Sequence, residues 1–379
     1  MPYRVPFVDP REHYRRWKTE IDIAITDTLA KGDLVLRRQL RDFEERLAEF
    51  AGVQYAVGVA SGYHALHLSL LAAGIGPGDE VVTVGHTFVA TVSAIVHTGA
   101  KPVLVDVRHD CNMAPDKLED AITPRTKAVI PVHLNGRVCE MDRIMAVAEK
   151  HRLAVIEDAA QALGAAFEGQ RAGSFGLAGC FSFYPFKSLG GFGDGGAVTT
   201  NDPEVARFIR LARYNGEDRE TGEYFNHGYT ALLDNVQAAV LDVKLRHLPD
   251  WIAHRRQIAE LYRRRLEGIE GLHLPHFDDS RYFDSFQNYV IRTAERDELR
   301  QHLKSHGVET LVHWPKPMWK HTGLALAGPA LPETESICKQ VISLPMSAET
   351  TPEQVEFTAA CIRRFFASRP EALRAEAAH

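Results

Sequence analysis

The strongest constraint in this chain is an alternation of short apolar runs with stretches of helical spacing. Val81–Val84, Val103–Val107, Ala128–Val132 and Leu153–Glu157 are apolar runs too short for helices, separated by helical stretches such as Met141–His151. A strand with one wet face alternates polar and apolar residues, whereas a strand buried on both faces reads as a continuous apolar run. The pattern therefore predicts an α/β fold, a mostly parallel sheet with helices on both faces. Phe181–Tyr184 and Gly196–Thr200 predict two further strands. From Asp234 a helical pattern runs to Leu266, with an expected interruption at Leu248-Pro249-Asp250, and leads into a second unit. There Tyr289–Arg292 reads as a strand and Glu295–His306 as a helix. The 379 residues exceed one typical domain. The expectation is a large sheet domain over residues 1–248 and a smaller C-terminal α+β domain over residues 249–379. Ser368–His379, polar and alanine-rich, reads as a frayed end.

In open α/β sheets, ligands dock outside the carboxyl ends of the strands. Lys187 lies just past one such run, in Phe181-Ser182-Phe183-Tyr184-Pro185-Phe186-Lys187-Ser188-Leu189-Gly190. Stripping water from an ammonium is costly. A lysine held where its neutral form is favoured is a nucleophile, commonly used to form a Schiff base with a carbonyl; the alternative is a solvated loop lysine. Asp158 ends the run Leu153–Ile156. It reads either as a helix cap or, with Lys187, as the acid that keeps the ring nitrogen of pyridoxal phosphate (PLP) protonated. In Ser61-Gly62-Tyr63-His64 a small polar residue and a glycine open a helical stretch that ends at Gly74. Free N–H groups at such a helix start suit a phosphate, and Ser182 offers a hydroxyl to the same group.

Gly191-Phe192-Gly193-Asp194-Gly195-Gly196 matches a dinucleotide fingerprint, which requires a helix after it. Ala197–Thr200 reads as a strand instead, so the glycines serve to let backbone pass close beneath the lysine. A net charge of −6, from 44 basic and 50 acidic residues, leaves no footprint for nucleic acid or an anionic membrane. The first residues lack a signal core, and no run reaches membrane-spanning length. Five scattered cysteines without a C-x-x-C pair suit reduced thiols in a cytoplasmic protein. His64 and His67 share a helical face without a third ligand, so no metal is expected.

These residues together resemble the DegT/DnrJ family of PLP-dependent sugar aminotransferases. The anchors are Ser61-Gly62, Gly78-Asp79-Glu80-Val81, Thr87-Phe88-Val89-Ala90-Thr91, Pro131-Val132-His133, Glu157-Asp158-Ala159-Ala160-Gln161, Phe181-Ser182-Phe183, Lys187 and Gly193-Asp194-Gly195-Gly196-Ala197. The resemblance runs from about Val8 to Phe366 and implies the PLP-dependent transferase fold of type I. It also implies roles: Lys187 carries the cofactor, Asp158 pairs with the pyridine nitrogen, and Gln161 reaches the phenolic oxygen. Phe88 stacks on the ring, while Ser182 and the Gly62-Tyr63 backbone hold the phosphate. It implies an amino-acid donor such as L-glutamate, a keto sugar as acceptor, ping-pong turnover with Lys187 as general base, and a homodimer with shared active sites. Lysine rather than histidine at position 187 argues against the family's dehydratase branch.

The chain departs from the family pattern at Tyr63 and His64, where threonine usually follows Ser-Gly, and at Trp319, where a second histidine often stands. Thr230 and Leu232 replace an asparagine and an arginine, and Thr230 then supplies a hydroxyl to the partner subunit's phosphate. His86, Asn135, Phe186, His313, Trp314 and Trp319 are expected to line the substrate pocket. Family membership favours a nucleotide-linked 3-keto or 4-keto deoxyhexose. The histidine-rich pocket leaves a keto-cyclitol or an oxidised sugar acid as the alternative, and a PLP-binding regulator without turnover as an alternative of another class.

Overall fold

A computed structural model describes residues 3–275 and 279–368. The segment expected to fray lies, beyond Ser368, outside the described residues. Seven strands form one sheet: β1 (Tyr55–Val59), β2 (Glu80–Val84), β3 (Lys101–Val105), β4 (Thr126–Val129), β5 (Ala154–Asp158), β6 (Ala178–Ser182) and β7 (Gly196–Thr200). Their spatial order is β1-β7-β6-β5-β4-β2-β3. Strands β3, β2, β4, β5 and β6 are parallel neighbours, and β7 alone runs antiparallel, to both β6 and β1. Residues of β2 and β7 are buried throughout, which is why those runs carry no polar alternation.

Several strands begin before the apolar runs that predict them: β3 and β4 two residues earlier, β6 three. The continuous ladder ends at Val105 in β3 and at Val129 in β4, and beyond it Val107 and Val132 keep only isolated bridges, to Met113 and Asp158. The site lies at this carboxyl edge of the sheet.

Helices α1 (Pro10–Ala30), α2 (Arg38–Ala51), α3 (Gly62–Ala72), α4 (Val89–His97), α5 (Met141–His151) and α6 (Pro203–Ala212) precede the long helix α7 (Asn235–Leu266). The expected interruption at Pro249 does not occur: α7 runs through it. A proline inside a helix costs about 3 kcal/mol. Burial of Leu245, Leu248, Trp251 and Ile252 around it, at about 2 kcal/mol for each large side chain, outweighs that cost. The first part of α7 packs into the core of the large sheet through Leu241, Leu245 and Leu248. Ile258, Ala259, Tyr262 and Leu266, further along, belong to a second core. That core also takes in the antiparallel pair β8 (Tyr289–Arg292) and β9 (Val341–Leu344) and helices α8 (Arg296–Ser305) and α10 (Pro352–Ala367), with α9 (Pro332–Gln340) leading into β9. Val5, from the amino end, joins it through a bridge to Val308. Among the described residues, no helix is long and apolar enough to cross a membrane.

Candidate active site

The carboxyl edge of the sheet gathers the polar residues. Asp158 is the last residue of β5, 6% exposed. The Thr91 hydroxyl donates to its Oδ2 at 2.7 Å and the Ala160 amide to its Oδ1 at 3.2 Å, while the Thr87 and Thr91 hydroxyls lie 2.8 Å apart. Burial pushes the Asp158 carboxyl up, and the Thr91 hydroxyl, the Ala160 amide and the charge of Lys187 pull it back. The two donors, one on each oxygen, favour the ionised form against the burial. Lys187 sits in a turn closed by its own amide on the Tyr184 carbonyl at 2.8 Å. It keeps some accessible surface, yet protein atoms crowd the amine. Desolvation lowers its pKa to about 8, against the attraction of Asp158. A lysine that releases its proton near neutrality is available as nucleophile and base.

A glycine-built cradle at the start of α3 is formed by close backbone approach. Ser61 caps α3, its Oγ accepting the His64 amide at 3.2 Å. The Gly62 and Tyr63 amides face no acceptor among the described residues. A Cβ on Gly62 would lie 2.8 Å from the Ser182 Cβ, and one on Gly196 would lie 2.4 Å from the Ser61 carbonyl carbon. Only glycine lets the helix start, Ser182 and β7 converge so tightly. Phe88, to which the resemblance gives the stacking role, is 57% exposed at the start of α4. An open aromatic face, two free amides, a hydroxyl, a buried carboxylate and a partly neutral amine fit a flat, phosphorylated pyridine aldehyde.

Gln161 accepts the Asn135 amide on its Oε1 at 2.8 Å, and Asn135 holds a left-handed φ of 59°. On the far side, His86 is 3% exposed, with Nδ1 3.3 Å from the Cys338 Sγ and the Trp314 ring edge-on to it. His313 Nδ1 lies 2.8 Å from the Ser343 Oγ. Burial lowers His86 to about 3, helped by His313, and lowers His313 to about 4, helped by Lys187. Both are neutral at pH 7 and act as hydrogen-bonding groups rather than cations. Phe186 is half-exposed against Tyr184. Trp319 packs over Gly85 and Gly328 in a side cluster with Met318 and Leu331. Thr230 stands apart: it is exposed and its hydroxyl donates to the Asn215 Oδ1 at 3.1 Å.

Sequence reasoning missed three supports. Thr91, in the first turn of α4, is one of the anchors of the resemblance and has no role assigned there. Glu157 accepts the amides of Gly173, Phe175 and Gly176 at 2.7–3.0 Å and sits 3.0 Å from the His133 Nε2. Glu157 draws a proton towards His133, but the Cys139 amide donates to Nδ1 at 3.1 Å. That leaves the ring neutral, with Nε2–H donating to Glu157. Next to the cradle, the Tyr63 hydroxyl meets His97 Nδ1 at 2.6 Å, and His67 Nε2 meets the Tyr229 hydroxyl at 3.0 Å. His67 is thereby engaged in a side-chain network. Among the described residues no group of histidine, cysteine and acidic side chains could hold a metal.

A type I PLP-dependent transferase is the class that this sheet, its lysine turn and its phosphate cradle define. Residues 16–363 match the model of the DegT/DnrJ/EryC1/StrS aminotransferase family. A dTDP-3-amino-3,4,6-trideoxy-alpha-D-glucose transaminase of Streptomyces venezuelae is 43% identical over 90% of this chain and 91% of its own. A protein of Geobacillus stearothermophilus named "Pleiotropic regulatory protein" is 40% identical over 96% of this chain and 98% of its own. The crystal structure of S. venezuelae DesV in complex with a ketimine intermediate superposes with a TM-score of 0.94 at 40% identity, over 98% of this chain and all of that one. The chain belongs to the DegT/DnrJ/EryC1/StrS family and is an aminotransferase, an enzyme class that works with a PLP-type cofactor.

Proposed function

We propose that this enzyme moves an amino group from L-glutamate to a nucleotide-linked 3-keto deoxyhexose, with PLP held by Lys187. The observation that carries the reading is the convergence of the Lys187 amine, lowered to about 8, with the buried Asp158 carboxylate beside a glycine-built phosphate cradle. When bound, PLP supplies an aldehyde and an electron-withdrawing ring. The protein supplies the rest. Asp158 would hold a positive ring nitrogen, Gln161 would meet the phenolic oxygen, and Phe88 would cover a ring face. Gly62, Tyr63 and Ser182 would hold the phosphate. The Lys187 amine would take a proton from the donor α-carbon. The donor product leaves before the sugar enters, so kinetics are ping-pong. Neutral His86 and His313, with Asn135, Phe186, Trp314 and Trp319, line or back the sugar side.

The 3-keto choice follows the transaminase relative, whose name records a 3-amino sugar. The Thr230 side chain is exposed and bonded to Asn215, on a segment with exposed Tyr224, Phe225 and Tyr229, while the next residue, Ala231, accepts the Ala60 amide beside the cradle. That placement supports a homodimer in which Thr230 reaches the phosphate of the other subunit. The regulatory name of one relative keeps a non-catalytic reading in view, but a regulator gains nothing from a lysine tuned for proton transfer.

The test is absorption of the purified protein with PLP before and after borohydride, with peptide mass mapping, followed by a panel of amino sugars. The expected result is a reduced adduct on Lys187 and conversion of the bound cofactor to its amine form by dTDP- or UDP-linked 3-amino sugars. Adduct formation without turnover of any sugar would favour the regulatory reading, and conversion by cyclitol amines or sugar acids alone would favour the smaller acceptor.

A further inference from the structure

Gln287 precedes β8 in the C-terminal part of the chain, is 8% exposed, and reaches across to the lysine turn. Its Oε1 accepts the Ser188 amide at 2.6 Å and the Ser188 hydroxyl at 2.8 Å, and its Nε2 donates to the Phe186 carbonyl at 3.0 Å. One side chain therefore grips the backbone immediately before and immediately after Lys187, using three of the four hydrogen bonds an amide side chain can make. Gln287 is itself anchored. Arg255 of α7, 6% exposed, donates through one nitrogen to the carbonyls of Phe286, Gln287 and Met346 at 3.1, 3.3 and 3.2 Å.

The next residue works on the opposite flank. Asn288 donates from Nδ2 to the Asn135 Oδ1 at 3.2 Å, and the Asn135 amide donates to Gln161. The Ser285 amide meets the Gly136 carbonyl at 2.8 Å, and a Cβ on Gly136 would lie 2.5 Å from the Phe286 nitrogen. The strap Ser285–Asn288 is thus seated on both sides of the cofactor site. A lysine side chain swings on four methylenes, so the reach of its amine depends on where the turn holds its Cα. Misplacement of a reacting group by about 1 Å can cost about 100-fold in rate.

We propose that Gln287 is a positioning residue for Lys187, and that Asn288 plays the same part for Gln161 through Asn135. The seat of the strap then decides where the lysine amine points. This rests on the reading of Lys187 as the cofactor lysine.

The test uses the full-length chain with Gln287→Leu, which keeps volume and loses all three hydrogen bonds. Ser188→Ala, a milder change, loses one. Thr351→Ala is a control: it removes the side-chain cap of α10 and touches none of the turn. In cofactor-free protein, the pH midpoint for acetylation of Lys187 is read by peptide mass spectrometry. Wild type should titrate near 8. In Gln287→Leu the midpoint rises by about one unit or more as the loosened turn lets water reach the amine. Ser188→Ala moves it the same way by less, and Thr351→Ala lowers the melting temperature with the midpoint unchanged. In the PLP-loaded enzyme, Gln287→Leu lowers kcat about tenfold with the donor KM within about twofold, as loss of aim rather than of binding requires. Midpoints unmoved in both turn variants, or moved equally by the control, overturn the proposal. Should Gln287→Leu not fold, Ser188→Ala decides. Absence of a borohydride adduct on wild-type Lys187 would instead sink the cofactor reading itself.

Discussion

Thr91→Val tests the electrostatics of the site at one atom. Valine keeps the shape of threonine and removes the hydroxyl that donates to the Asp158 Oδ2 at 2.7 Å. A hydrogen bond to a charged acceptor contributes about 1.5–3 kcal/mol. Its loss raises the Asp158 carboxyl further above its already elevated position. The sign follows from proton counting. A buried acid with a raised pKa holds its proton to higher pH when folded than when unfolded. Stability therefore falls as pH rises through that window, and the penalty is complete above it. The variant enlarges the penalty, so cofactor-free Thr91→Val loses about 1.5–3 kcal/mol relative to wild type at pH 7, and the deficit shrinks towards pH 4. Thr87, which also bonds Thr91, adds a smaller loss that does not depend on pH. Urea unfolding of both proteins at the two pH values measures the difference. An equal deficit at pH 7 and pH 4, or none, would refute an ionised Asp158 held by this hydroxyl.

Three further outcomes are expected. Gly62→Ala places a Cβ 2.8 Å from that of Ser182 and weakens PLP binding by about tenfold or more, on the order of the 1.4 kcal/mol that one strained contact costs, while the far-ultraviolet circular dichroism of the protein is unchanged; fluorescence titration with PLP measures it. Lys187→Met removes an amine depressed to about 8. It stabilises the cofactor-free protein by on the order of 2 kcal/mol at pH 7, after discounting for partial solvent access. The gain fades between pH 8 and the ordinary lysine range, where the unfolded chain also loses its proton, as melting at pH 7 and pH 10 would show. Glu157→Gln turns donors of Gly173, Phe175, Gly176 or His133 towards an amide NH2 and costs about 3 kcal/mol, measured by urea unfolding.

The sheet was readable because its parallel strands are buried on both faces, so the apolar runs of β2 and β5 announce themselves. Boundaries slipped at the strand starts: β3, β4 and β6 begin pairing at Lys101, Thr126 and Ala178, ahead of the apolar runs, where composition carries no strand signal. Pro249 misled because local backbone preference is weaker than the burial on both sides of it. Lys187 and Asp158 stood out because each is a charge where apolar residues dominate. Gln287 and Asn288 did not, since uncharged amides before a strand carry no such contrast, and their partners lie about a hundred or more positions away in sequence. Thr230 is a different case. Its side chain is exposed and bonds Asn215, so its role depends on the homodimer proposed above.

The site is electrostatically expensive in both of its central residues: desolvation lifts Asp158 and lowers Lys187. Each partly relieves the other through the attraction between their charges. Under the proposed function a cofactor ring nitrogen would face Asp158 as a further positive partner, and part of the cost of burying that carboxylate would be offset on binding. The support that Thr91 gives Asp158 then has two consequences with one cause. It favours the ionised carboxylate, and it would hold the charge against which a protonated pyridine is stable.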